Sequence, residues 1–133
     1  MSRDEELERI TSEVIDCGFH LHRDLGPGLL ETAYEQLLFI EIQERGLSVA
    51  RQVPVTLRHK GVVIDNAFKI DLLVEDRLVV ELKSVEKLLP VHGKQVLTYL
   101  RVMRLPLGLL MNFGEATFKS GLRRIANDYH SGR

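Results

Sequence analysis

The chain has a single cysteine, Cys17, among its 133 residues. One cysteine excludes an internal disulfide framework and a zinc site built from several thiolates. Long apolar runs are missing as well, since no stretch approaches the roughly 20 residues that a membrane-spanning helix needs. Residues 2–6 are too acidic for a signal peptide. We therefore expect an intracellular, cytoplasmic protein without a membrane segment.

An excess of charge of one sign is also missing. The 18 Lys and Arg residues nearly balance the 19 Asp and Glu residues, which leaves a net charge of −1. There is thus no global basic field to attract nucleic acid, and any polyanion must be held by local Lys and Arg or by a bound metal. The 44% hydrophobic and 28% charged content is an ordinary globular balance. Because no repeat, low-complexity stretch or linker interrupts it, we predict one domain over residues 1–133.

Apolar spacing predicts two N-terminal helices, a run of strands, a further helix, one more strand and a C-terminal helix. The helices are expected at 4–24, 29–45, 91–104 and 117–128. Strands are expected at 48–59, 67–75, 78–84 and 107–113, and residues 62–64 start the strand that follows 48–59. Pro54 cannot donate to a ladder, so its strand should be an edge strand or carry a bulge. The helix at 91–104 is long enough for a crossover, which would set strand 107–113 parallel to strand 78–84. This order predicts an α/β fold with a mainly antiparallel sheet.

The central hairpin carries charge where a purely structural strand would not. Asp71 lies in its first strand, and Glu81 and Lys83 lie in its second. A three-residue loop at 75–77 would set Asp71 opposite Glu81, whereas a two-residue loop would set it opposite Leu82, on the other face. We favour the three-residue loop because it gathers the three charges in one place.

Two carboxylates that converge there make a hard oxygen site for Mg²⁺ or Mn²⁺. Lys83 beside them could steady a phosphate or orient a water molecule. Without a metal, two carboxylates about 5 Å apart repel by roughly 3 kcal/mol at an effective dielectric near 20. A fold tolerates this only if Lys83, a raised pKa or a bound cation offsets it. The alternative is a salt-bridged hairpin with its charges on a solvated face, and the spacing alone does not decide between the two.

Two helices carry further candidates. Glu31, Tyr34 and Glu35 share one side of the second helix. Glu31 lies in the first turn, where the helix dipole alone favours a carboxylate. For Tyr34 the ordinary interpretation is a partly buried aromatic residue, and for Glu35 it is a solvated one.

The helix at 91–104 places His92, Gln95 and Tyr99 on one side. A lone histidine at such a position is typical of a cap or a surface group. Gln95 would be a weak metal ligand, but its amide could place a water molecule or contact a phosphate oxygen.

The segment Gly28-Leu29-Leu30-Glu31-Thr32-Ala33-Tyr34 fits the motif of the GxxExxY family of small prokaryotic proteins. Later segments resemble the same family, and the resemblance covers residues 10–127. They are 51–55 (RQVPV), 71–74 (DLLV), 80–83 (VELK), 86–92 (EKLLPVH), 95–100 (QVLTYL) and 108–113 (GLLMNF). This family is grouped with the PD-(D/E)xK nuclease superfamily.

The resemblance implies a restriction-endonuclease-like core in the order α-β-β-β-α-β, dependence on Mg²⁺ or Mn²⁺, and hydrolysis of phosphodiester bonds in nucleic acid, with DNA as the expected substrate. Asp71 resembles the metal-binding Asp, Glu81 and Lys83 the ExK pair, Glu31 the helical Glu that completes the metal site, and Gln95 the polar residue of the next helix. The backbone carbonyl of Leu82 joins the implied metal ligands. Tyr99, Tyr34 and His92 are the candidates for assisting residues.

One position departs from the family. Gly93 stands where the family has an acidic or other larger residue, and Lys94 follows it. The missing side chain keeps open a second hypothesis, in which the chain is a noncatalytic nuclease-fold module that binds a protein or a nucleic acid. A homodimer formed through the N-terminal helices would place two sites on the two strands of a duplex.

Overall fold

The computed structural model describes residues 1–127 as a five-stranded sheet with helices on both faces. The helices are α1 (Arg3–Leu25), α2 (Glu31–Glu44), α3 (Pro90–Met103) and α4 (Phe118–Gly121); the strands are β1 (Val49–His59), β2 (Val62–Val74), β3 (Leu78–Lys83), β4 (Leu107–Asn112) and β5 (Leu122–Ala126). This confirms the predicted α-β-β-β-α-β order. Strand β2 begins at Val62, where the sequence analysis starts a strand, and continues without interruption to Val74 in the central hairpin.

The strands lie side by side in chain order, β1-β2-β3-β4-β5. Only β3 and β4 pair in parallel, and the other neighbours are antiparallel. Helix α3 is the crossover between the parallel pair, as predicted, and β1 with its Pro54 lies at the edge of the sheet. Within residues 1–127, no helix has the length and apolar character needed to cross a bilayer.

The sheet separates two apolar layers. Helices α1 and α2 cover one face and form the α1–α2 core, whose members include Val14, Leu38, Leu72, Val80 and Met111. Helix α3 covers the other face and forms the α3 core with Ile70, Val79, Val96, Leu100 and Leu110. Every residue of β4 is buried, as its continuous apolar run predicts.

The predicted helix at 117–128 is wrong beyond its first turn. Helix α4 ends at Gly121, and the chain continues as β5, which pairs antiparallel with β4; residue 128 lies outside the described part. Strand β4 has an open edge on the side away from β3, and β5 satisfies the backbone groups on that edge. This tertiary pairing overrides a local apolar spacing that fits either a short helix or a short strand.

Gly121→Ala should destabilise the fold, because a Cβ at this position would lie 2.2 Å from the backbone carbonyl oxygen of Asn112. We expect a loss of about 1–3 kcal/mol in the free energy of unfolding, measured by urea denaturation. Gly93→Ala is the matched control, since its Cβ would meet only the Ile125 Cδ1 atom, at 3.5 Å. Alanine inside α3 should raise stability by up to about 1 kcal/mol. Equal denaturation midpoints for the two variants would contradict the close approach at Gly121.

Candidate functional site

The turn between β2 and β3 sets the register of the central hairpin. Val74 pairs with Leu78 across the three-residue loop, and the ladder continues to Leu72 and Val80. Asp71 and Glu81 are the next residues of the two strands, so they lie opposite each other, as predicted.

Beyond this last ladder pair, the two carboxylates replace backbone carbonyls as hydrogen-bond acceptors. The Asp71 N–H donates to Oε2 of Glu81 (2.6 Å), and the Leu82 N–H donates to Oδ2 of Asp71 (3.0 Å). Each carboxylate is therefore tied to the backbone of the opposite strand. These two hydrogen bonds hold the acidic side chains together at the point where the strands separate.

The central hairpin is not the salt-bridged hairpin with solvated charges that the sequence left open as the alternative. Only 7% of the Glu81 surface is exposed. Within residues 1–127, the Lys83 ammonium forms no salt bridge with any carboxylate. The lysine is thus left available beside two carboxylates that do not neutralise it directly.

The regular alternation of β2 side chains between the two faces of the sheet is interrupted at Asp71. Ile70 belongs to the α3 core and Leu72 to the α1–α2 core, although residues two apart on a regular strand share one face. The neighbouring residue on β1, Gln52, has a φ of +49°, an uncommon value for a residue with a side chain. This irregularity leaves the Asp71 side chain between the two layers, where both α2 and α3 can approach it.

Helix α2 brings a carboxylate that the sequence analysis placed in solvent. Glu35 is 3% exposed, so that expectation is wrong. The Gln52 amide donates to Oε1 of Glu35 (2.8 Å) and to Oδ1 of Asp71 (3.2 Å) and so bridges the two acids. Arg51 adds hydrogen bonds from Nε and Nη2 to Oε2 of Glu35 (3.3 and 3.2 Å). The only sequence signal for Arg51 and Gln52 was their place in a segment that resembles the family.

The carboxylates share an excess of negative charge. Burial, and then the charge of Asp71, raise the pKa of Glu81 to about 8, against opposing effects of the Asp71 N–H and Lys83. Burial and the charge of Asp71 also raise the pKa values of Glu31 and Glu35. Asp71 therefore influences three acids at once, and the site favours any ligand that brings positive charge.

Helix α3 contributes Tyr99 and Gln95. Burial, followed by the charges of Glu81 and Asp71, raises the pKa of Tyr99, and a hydrogen bond with Gln95 opposes this shift. The Tyr99 ring also stacks on Phe68 of β2, with 4.1 Å between the ring centroids. The two α3 side chains are thus close enough to the acidic cluster to interact with a ligand bound there.

Two of the expected assisting residues have structural contacts instead. Tyr34 is completely buried and stacks on Phe113, and its hydroxyl donates to the Gly26 carbonyl, which shapes the loop before α2. His92 accepts a hydrogen bond from the Leu89 N–H at Nδ1 (3.0 Å) and caps the first turn of α3. The interpretation of His92 as a cap is confirmed, and the geometry does not support an assisting role for either side chain.

The donor set fits a hard divalent cation with few protein ligands. Within residues 1–127, no three His, Cys, Asp or Glu side chains are grouped so that they could hold a metal ion together. Mg²⁺, however, is ordinarily bound through one or two carboxylates and keeps several water molecules. Asp71 and Glu81 supply such a pair, and a cation between them would relieve the repulsion that raises the pKa of Glu81.

A comparison with protein families gives a match over residues 8–125, to a family described as the PD-(D/E)XK nuclease superfamily. This chain belongs to the PD-(D/E)XK nuclease superfamily. The match includes strands β1 to β4, β5 as far as Ile125, both carboxylates of the central hairpin and Lys83. Nucleases of this superfamily use divalent metals as a rule, which agrees with the oxygen donors of the site. No curated protein matches the chain at a significant level.

Proposed function

We propose that this chain is a GxxExxY-type nuclease of one domain, residues 1–133, which hydrolyses phosphodiester bonds in DNA with Mg²⁺ or Mn²⁺. The observation that carries the proposal is the convergence of Asp71 and Glu81 at the end of the central hairpin, with the ammonium of Lys83 beside them. Membership of the nuclease superfamily supports nucleic acid as the substrate class.

Asp71 and Glu81 would hold the cation together with the Leu82 carbonyl. Glu31 of α2, whose pKa is raised by burial and by the charge of Asp71, would contact the cation through a bound water molecule, because no three acids among the described residues are grouped closely enough to ligate one ion directly. The bound cation supplies Lewis-acid chemistry, in that it lowers the pKa of a water molecule and stabilises charge on the departing oxygen. Lys83 donates hydrogen bonds to a nonbridging oxygen of the attacked phosphate, where negative charge increases in the transition state. The Gln95 amide can donate to the same phosphate, and Tyr99 shields the site from water on the α3 side.

Gln52 has a positioning role in this proposal. Its amide fixes the Oδ1 atom of Asp71, while the Leu82 N–H fixes Oδ2. The buried Glu35 in turn fixes the amide of Gln52. A metal ligand oriented from both oxygens loses little freedom when the cation binds, which favours binding.

Gly93 favours a second candidate function, a noncatalytic module that binds a partner through the same fold. A Cβ at this position would have ordinary van der Waals contact only, so packing does not require the glycine. If the larger residue found elsewhere in the family serves the reaction, its absence here removes that help. Such a module would keep the acidic pair without binding a metal.

Thermal unfolding in EDTA, Mg²⁺ and Mn²⁺ separates the two functions. A nuclease site should raise the unfolding midpoint with metal, by an added stability of about 2.7 kcal/mol at a hundredfold excess of metal over its dissociation constant. K⁺ at matched ionic strength is the control for nonspecific screening. No shift even in millimolar Mn²⁺ would support the noncatalytic module. A metal response should be followed by cleavage assays on duplex DNA, single-stranded DNA and RNA.

A further inference from the structure

A cavity lined with arginines opens where the end of α3 meets β1. Its volume is about 420 Å³. We call it the arginine cavity, and it is lined by Thr56, Leu57 and Arg58 of β1, Arg101 and Val102 of α3, and Arg104 just beyond α3. Three guanidinium groups at one opening are unexpected in a chain whose net charge is −1.

These three arginines are not neutralised within the part of the chain that the structure describes. Five other arginines pair with carboxylates there, but Arg58, Arg101 and Arg104 form no salt bridge with any described residue. The carboxylate of Asp65 is close to the cavity, where its Oδ1 accepts a long hydrogen bond from the Thr56 hydroxyl (3.4 Å).

Arg104 also borders a second cavity that contains Asp4 and Asp76, but it forms no salt bridge with either of them. Among the described residues, the lining of the arginine cavity itself contains no acid. Its three guanidinium groups therefore leave a positive surplus, which an anionic ligand would neutralise.

The backbone of Arg104 supports a binding role for its side chain. Arg104 ends α3 in the left-handed conformation, with φ +57° and ψ +44°. Glycine is favoured at such a position because it has no Cβ to strain. Arginine at this position ends the helix less well than glycine would, and its guanidinium lies at the cavity, which is consistent with a binding role for the side chain.

The arginine cavity and the acidic site lie on the same face of the sheet. Val53, Val55, Phe68 and Tyr99 pack together in the α3 core between them. Along β1, Gln52 at the acidic site and Arg58 at the cavity are six positions apart, which corresponds to about 20 Å at about 3.3 Å per residue. A nucleic-acid strand that contacts both places therefore extends over several phosphates.

We propose that the arginine cavity binds the phosphate backbone of the nucleic acid, several nucleotides away from the phosphate held at Lys83. This inference rests on the proposed function, because that function supplies the ligand class. Arginine matches phosphate with two parallel hydrogen bonds, and such contacts fix the register of a strand without reading its sequence. The stacked pair of Phe68 and Tyr99 lies along the path between the two phosphates.

The test is the binding of a fluorescein-labelled DNA duplex in EDTA, where no metal-dependent cleavage occurs, followed by fluorescence anisotropy at several salt concentrations. The triple variant Arg58→Ala, Arg101→Ala, Arg104→Gly should bind at least about tenfold more weakly, and the slope of log affinity against log salt should fall by about 2 to 3. Arg9→Ala is the control: it removes an exposed arginine from α1, which packs on the opposite face of the sheet. Its slope should fall by less than 1.

Arg104→Gly alone distinguishes lost binding from lost folding. Glycine suits the left-handed position, so this variant should unfold at the same or a higher temperature than the wild type and still bind the duplex more weakly. A lower unfolding temperature with unchanged binding would overturn the role given to this side chain.

The remaining outcomes separate this inference from the nuclease proposal. Equal affinities and slopes for the triple variant and Arg9→Ala would overturn the arginine cavity as a strand-binding site, even if the wild type cleaves DNA. A wild type that binds no duplex would overturn it too. If inorganic phosphate stabilises the wild type but not the triple variant, and duplex binding is unchanged, the cavity takes a free anion and the strand proposal fails. If the wild type shows no metal response but the triple variant binds the duplex more weakly, the arginine cavity is supported as a strand-binding site. Only the nuclease chemistry is then rejected.

Discussion

Asp71→Asn should abolish the metal response and lower cleavage by about a thousandfold, since a metal supplies several kcal/mol of transition-state stabilisation and each 1.36 kcal/mol is about tenfold in rate. The amide oxygen of asparagine can still accept the hydrogen bond of the Leu82 N–H, so the hairpin keeps its shape, but the amide nitrogen cannot accept the hydrogen bond that Gln52 donates to Oδ1 of Asp71. After burial, the lost charge is the second cause that raises the pKa values of Glu31, Glu35 and Glu81. Without metal, the relieved repulsion offsets the lost hydrogen bond from Gln52, and the variant should be about as stable as the wild type.

Asp76→Asn is the matched control for this substitution. Asp76 lies in the turn of the same hairpin, is exposed, and has a φ of +54°, which asparagine tolerates well. Its cleavage rate and its unfolding midpoints in EDTA and in Mg²⁺ should match those of the wild type. If Asp71→Asn retains the wild-type rate and metal response, the assignment of the site is wrong. If both variants lose activity equally, the effect does not arise at Asp71.

The pairing of Asp71 with Glu81 could be predicted because it depends on local rules. The number of loop residues determines which positions of the two strands face each other. Because Asp71 and Glu81 are charged residues inside apolar strands, the register that brings their side chains together could be recognised. Strand β4 was equally predictable, because a run without polar residues requires cover on both faces. The boundaries of α1, α2 and α3 also follow from local signals, such as the Gly-Pro-Gly break before α2.

The rest depends on contacts between distant parts of the chain. Glu35 is buried because Arg51 and Gln52 of β1 come to it, and nothing in the spacing of α2 requires them to do so. Strand β5 exists because β4 offers it an edge. The arginine cavity likewise brings together Arg58 and Arg101 from two separate elements. A single sequence shows the apolar periodicity of each element, but it does not show which distant element will pack against it or form hydrogen bonds with it.

Glu81 makes the metal-free protein sensitive to pH, and its stability should fall as the pH rises from about 5 to about 8. The pKa of Glu81 is about 8 in the folded state, against an ordinary value of 4.5. Below the ordinary value, both the folded and the unfolded chain hold the proton, and the full contribution to stability is present. Between the two values the unfolded chain releases the proton and the folded chain retains it, so the free energy of unfolding falls by up to about 1.4 kcal/mol per pH unit.

Glu81→Gln should flatten this part of the stability curve, because glutamine stays neutral and its side-chain oxygen can still accept the hydrogen bond of the Asp71 N–H. The residual slope comes from Glu31 and Glu35, whose pKa values are raised in the same direction. Glu86→Gln, an exposed position in the loop after β3, is the control and should keep the wild-type slope. Urea denaturation in EDTA at a series of pH values measures all three proteins.

Metal should act on the wild type in the opposite sense. A cation binds the ionised carboxylate and competes with the proton, so the stabilisation by Mg²⁺ or Mn²⁺ should increase as the pH approaches about 8. Glu81→Gln should show little stabilisation by metal at any pH. If its metal response and its pH slope both equal those of the wild type, Glu81 is neither the titrating acid nor a metal ligand. If Glu81→Gln flattens the dependence of stability on pH but keeps the metal response, Glu81 is the titrating acid and not a metal ligand. The cation would then be assigned to Asp71 and Glu31.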